Sequence, residues 1–110
     1  MHDRRTGKTY RMVQALPENG AIIIVPSYPI RDYILNMLRD VRGSEIANRC
    51  RIIVIRNHMD IWQLDGLNKP VVFDHSFFEN NYISQDVLEE TQLRTNIIND
   101  YVRKKELYNV

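Results

Sequence analysis

Ala21-Ile22-Ile23-Ile24-Val25 is the stretch on which the fold turns. This β-branched run lies between Gly20 and Pro26, residues that interrupt regular structure. A strand with one wet face alternates apolar and polar side chains. A run that is apolar throughout is buried on both faces, the pattern of a parallel sheet covered by helices. Outward from it, Ile52-Ile53-Val54-Ile55, within residues 51–56, and the shorter Val71-Val72-Phe73 read the same way. Helical spacings separate these runs. Ile30, Tyr33, Ile34, Met37, Leu38 and Val41 predict an amphipathic helix from about residue 28 to 41, ended near Gly43. Met12, Val13, Ala15 and Leu16 predict a short helix over residues 9–16, stopped by Pro17. Ser84 can cap a last helix carrying Val87, Leu88, Leu93, Ile97, Ile98, Tyr101 and Val102, with Glu90 and Arg94 spaced i,i+4 on it. Residues 57–69 read equally as a short helix or a packed loop. The sum is an α/β fold, a parallel sheet of about three strands flanked by helices. Such a sheet has open edges, so a protein partner, or self-association through a sheet edge, is expected.

The composition fits one globular domain over residues 1–110, with 44% apolar and 26% charged residues. Lys plus Arg number 15 and Asp plus Glu 14, so the net charge of +1 does not by itself attract a polyanion. The single cysteine, Cys50, excludes an internal disulfide and fits a reducing compartment. The longest apolar run, residues 21–26, is far short of the roughly 20 residues that span a bilayer. No apolar stretch follows Met1-His2-Asp3-Arg4-Arg5, so no signal peptide is expected. A soluble, cytoplasmic protein with no membrane partner is the expectation.

Two short motifs carry chemistry. Gly7-Lys8-Thr9 directly precedes the first predicted helix. Backbone N–H groups at a helix N-terminus attract anions. There a lysine can reach the outer phosphates and a threonine hydroxyl can sit on magnesium. The second motif, Pro70-Val71-Val72-Phe73-Asp74, is a strand ending in a carboxylate. Ligands of open α/β sheets bind beyond the carboxyl ends of the strands. A carboxylate and a hydroxyl are the hard oxygen donors that magnesium prefers. Asp74 reads equally as a turn or helix cap after the strand.

The order of Gly7-Lys8-Thr9, helix, Ala21-Ile22-Ile23-Ile24-Val25-Pro26-Ser27, helix, strand and Val71-Val72-Phe73-Asp74 resembles the first RecA-like domain of P-loop NTPases, closest to the helicase and phage terminase branches. Arg4-Arg5-Thr6-Gly7-Lys8-Thr9 also resembles the loop of small phage-type ATPases. The resemblance covers roughly residues 4 to 80. It implies ATP and magnesium as ligands, with Gly7, Lys8, Thr9 and Arg5 on the nucleotide and Thr9 and Asp74 on the metal. The host cytoplasm is the location implied for a phage-encoded protein. The sequence also departs from the family. His2 stands where the family has its first glycine, and only Met1 precedes it, so the family's first strand is expected to be missing. His75 stands where the family places a water-activating glutamate. The expectation is a nucleotide- or phosphate-binding module with weak or no ATP hydrolysis and no assignable catalytic residue. The alternative is a non-catalytic interaction protein, a phage inhibitor of a host protein machine, on a decayed NTPase scaffold.

His75 and Glu79 are candidate bases near Asp74. His2 and His58 lack partners at metal-ligand spacing and read as structural or solvated. Cys50 lies between two arginines without the partners of a nucleophile. Arg4, Arg5, Lys8 and Arg11 form a basic cluster that can hold a nucleotide or, with less support, a nucleic-acid backbone. Arg103-Lys104-Lys105 complement the dipole of the last helix. Phe77-Phe78 with Tyr82 read as a core plug or a docking patch.

Overall fold

The computed structural model describes residues 3–108, with side chains over residues 7–107. Three parallel strands, β1 (Ile22–Val25), β2 (Arg51–Val54) and β3 (Val71–Phe73), lie in the order β2-β1-β3. Ile22 is in register with both Arg51 and Val71, and Ile24 with both Ile53 and Phe73. The run read first is therefore the central strand, and it is buried over its whole length.

Alternation within β1 sends its side chains into two cores. Ile22 and Ile24 join Ile53, Ile55, Ile61, Leu64, Phe77 and Val87 on one face. Ile23 and Val25 join Val13, Leu16, Ile34, Leu38 and Val54 on the other. The second face is covered by α1 (Asp3–Gln14) and α2 (Tyr28–Arg49), the first by α3 (Gln85–Tyr108) and a 3₁₀ segment, His58–Leu64. The three-layer α/β arrangement is the one the apolar runs predict.

Several boundaries differ from the prediction. The helix predicted for residues 9–16 begins at Asp3 instead, so Gly7-Lys8-Thr9 lies inside α1 and not in a loop ahead of it. Nothing between Asp3 and Gly7 breaks a helix, and an interior glycine costs only about 1 kcal/mol. Buried Thr9 and Val13, spaced i and i+4, with Leu16 just past the last turn, hold this helix to the sheet. In α2, Gly43 leaves helical geometry at φ 88°, where the stop was expected, but a second helical stretch continues to Arg49. Residues 57–69 resolve into the 3₁₀ segment, started by Asn57, whose side chain accepts from the Asp60 N–H at 3.1 Å. β2 stops short of residue 56, although the Ile55 N–H still reaches the Val25 carbonyl at 3.1 Å. Ser84 caps α3, accepting from the Val87 N–H at 3.2 Å, and Glu90 pairs with Arg94 at 3.4 Å.

Both sheet edges are met by side-chain amides. Asn99 accepts from the Val71 N–H at 2.7 Å and donates to the Val71 carbonyl at 3.0 Å. On the other edge Gln63 donates to the Val54 carbonyl at 3.2 Å. At Val71 one amide thus occupies the groups that a neighbouring strand would use. No helix among the described residues is long and apolar enough to cross a membrane.

Candidate functional site

The carboxyl ends of β1 and β3 open onto a cleft of about 470 Å³, within the range of small-molecule pockets. Its floor holds Thr9 from α1 and Asp74 from the end of β3, and its walls include Pro26, Ile30, Tyr33, His75 and Tyr82.

Asp74 is fixed by its backbone and by its side chain. Its N–H extends the ladder to the Ile24 carbonyl at 3.1 Å. Its carboxylate caps the short 3₁₀ turn His75–Phe77, accepting from the Ser76 N–H at 3.1 Å and from the Ser76 hydroxyl. Phe77, fully buried and packed on Phe73, pins that turn to the core. The other carboxylate oxygen accepts from the Thr9 hydroxyl at 2.7 Å. Thr9 and Asp74 are each 2% exposed. A buried carboxylate is costly unless donors surround it, and three donors do so here.

At the rim, the Lys8 ammonium donates to Glu79 at 3.0 Å, and the other Glu79 oxygen lies 3.0 Å from His75 Nδ1. Lys8, and after it His75, hold the Glu79 carboxyl below its ordinary value of 4.5. Asn80 shapes the next turn, donating to the Phe77 carbonyl at 2.8 Å and accepting from the Ile83 N–H at 3.0 Å.

The structure sets Thr9 and Asp74 together on the floor of one cleft, with Lys8 held at its rim by Glu79. Gly7 is half-buried on α1, with the Arg11 guanidinium beside it. The side chains of Arg4 and Arg5, and all of His2, lie outside the described residues. Asp74 is the cap of a turn, as one of its two readings has it, and it also accepts from Thr9. Sequence reasoning did not find Ser76, although a serine two residues after an aspartate at a strand end is the spacing of a side-chain-capped turn. The pairing of Lys8 with Glu79 spans 71 residues and has no local signal.

The remaining candidates sit elsewhere. His58 bonds Glu90 at 3.0 Å on the opposite side of the sheet, and Cys50 ends α2. Phe77 is the core plug, whereas Phe78 and Tyr82 are exposed. The Arg31 and Arg56 guanidiniums each lie 5.0 Å from the Tyr28 ring. Comparison of the chain with family models, with curated proteins and with solved structures gave no match.

Proposed function

We propose that this chain is a phosphate-binding module that takes a nucleoside triphosphate with magnesium and hydrolyses it weakly or not at all. The observation that supports the reading is the buried 2.7 Å hydrogen bond from Thr9 to Asp74. It joins the two motifs that the sequence singles out, beyond the carboxyl ends of parallel strands, where ligands of such sheets bind. Lys8 would meet the outer phosphates, helped by Arg5. The Thr9 hydroxyl, and Asp74 through water, would hold magnesium.

The donor set fits that ion. Magnesium takes one or two protein oxygens and completes its shell with phosphate and water. The described residues contain no group of three His, Cys, Asp or Glu that could hold a metal by itself. When bound, magnesium would supply charge neutralisation along the phosphates. The helix is the obstacle to the phosphate. The N–H groups of Gly7, Lys8 and Thr9 fall within α1, where they serve its own ladder. Binding through those groups therefore requires the first turns of α1 to open, and Lys8 must leave Glu79. These costs favour modest affinity. Slow turnover follows from His75 standing next to Asp74 without an activating carboxylate at that position.

A second reading has its own support: Lys8, Glu79 and His75 are already paired with one another. A site satisfied in this way suits a non-catalytic interaction protein on an NTPase-like scaffold, such as a phage inhibitor of a host machine. Titration calorimetry with ATP and magnesium separates the two. Binding heat that disappears in Lys8→Ala is expected. The absence of heat at about millimolar ligand, a affinity near −4 kcal/mol, overturns the nucleotide reading and leaves the second.

A further inference from the structure

Helix α3 is apolar on two sides. One side, with Val87, Thr91, Thr95 and Val102, is buried on the sheet. The other carries Leu93, Ile97 and Tyr101, which are 63%, 62% and 57% exposed. Residues four apart advance by about 40° around a helix, so these three form one narrow stripe. The stripe has an acidic end and a basic end. Glu90 lies one turn before Leu93 on the same face, with Glu89 beside it. Lys104 follows Tyr101 at the same spacing, with Lys105 beside it.

We infer that α3 pairs antiparallel with α3 of a second copy of this chain, about a two-fold axis beside Ile97. In that register Ile97 meets Ile97, Leu93 meets Tyr101, Glu90 meets Lys104 and Glu89 meets Lys105, each unlike pair occurring twice. A two-fold interface requires one patch to be complementary to itself, and this order of charges around an apolar centre satisfies it. Parallel pairing would set Glu90 against Glu90 and Lys104 against Lys104, which repel.

The surroundings fit this occupant. A cleft of about 520 Å³ runs between α3 and the turn that follows the 3₁₀ segment His58–Leu64, lined by Leu64, Leu93, Ile97 and Ile98. It lies beside Leu93, where the Tyr101 ring of the second copy arrives. Glu90 already bonds His58 and Arg94, one through each oxygen, and a carboxylate has lone pairs for further donors. The Thr9–Asp74 cleft opens among α1, α2 and the turn after β3, so both copies keep it free. The strand edge at Val71, occupied by Asn99, is not required. Three apolar residues per copy make a small interface, at the weak end of specific association.

Sedimentation equilibrium of the whole chain, from about 1 µM to about 1 mM, is the test. A monomer–dimer equilibrium is expected, unaffected by ATP and weakened by salt. Glu90→Lys alone and Lys104→Glu alone should each weaken the dimer about tenfold or more, since each puts like charges together at two places. An equimolar mixture of the two single variants should recover the lost association as a heterodimer. So should the double variant Glu90→Lys/Lys104→Glu with itself. Ile97→Asp should leave only monomer, with a melting temperature within a few degrees of the parent, because the position is exposed. A chain that stays monomeric throughout overturns the inference. A dimer that the single reversals leave intact, or that neither the mixture nor the double variant restores, also overturns it and assigns the surface to another partner.

Discussion

Thr9→Val removes one hydroxyl from the floor of the cleft and almost nothing else. Valine has nearly the shape of threonine, so the packing of α1 against the sheet is kept. What goes is the donor to Asp74 at 2.7 Å, in a place where both residues are 2% exposed. Asp74 keeps the N–H and hydroxyl of Ser76, so its carboxylate is depleted rather than abandoned. Losing one hydrogen bond to a buried charged acceptor costs about 1.5–3 kcal/mol. At about 4 °C per kcal/mol for a domain of this size, the melting temperature should fall by roughly 6–12 °C. Thr9→Ser is the control. It keeps the hydroxyl and loses a buried methyl worth about 1 kcal/mol, so it should fall by only about 4 °C. The order is the informative part. If packing alone mattered, valine, the more apolar residue, would be the more stable of the two. Urea or thermal unfolding followed by circular dichroism reads it directly. A Thr9→Val chain as stable as the parent would refute the claim that this bond organises the floor of the cleft. A double-mutant cycle with Asp74→Ala should give a coupling of about 1 kcal/mol or more.

Glu79 should titrate below its ordinary value of 4.5, because Lys8 and His75 favour its charged form. A group with a depressed folded pKa stabilises the fold above the unfolded value and loses that contribution as pH falls through the folded one. Glu79 is exposed, so the readout is its own side-chain NMR titration: Lys8→Met should move the midpoint up, and an unmoved midpoint would deny the pairing. Gly20 has φ 93°, and a Cβ there would collide with the Arg49 carbonyl. Gly20→Ala should therefore cost more than about 2 kcal/mol in chemical denaturation, and more than Gly66→Ala, which shares the positive φ at 77° but whose Cβ meets nothing within 4 Å. Asn99→Ala removes both bonds to Val71. It should destabilise the chain by about 1–3 kcal/mol, with faster hydrogen exchange at the Val71 amide and a greater tendency to aggregate at about millimolar concentration through the opened strand edge.

The parts of this fold that the sequence announces are those governed by local pattern. Ile22 to Val25 reads as a strand buried on both faces, and Ser84 and Pro17 mark helix ends through chemistry that acts within a few residues, whereas Gly43 marks only a kink. The start of α1 was misread for the converse reason. The one glycine, Gly7, is outweighed when Thr9, Val13 and Leu16 dock on a sheet made of residues far along the chain. The same distance hides the partners within the cleft. Lys8 and Thr9 could be named as candidates, and so could Asp74, from what each residue type can do. That Thr9 would bond Asp74, and Lys8 would bond Glu79, depends on β3 lying beside β1 and α1 crossing above them, contacts that span 65 and 71 residues. A local motif can state which chemistry is available. Only the crossover connections of the parallel sheet decide which of those groups meet, and here they set a neutral hydroxyl on the buried carboxylate while the cation at the rim is held by a different one.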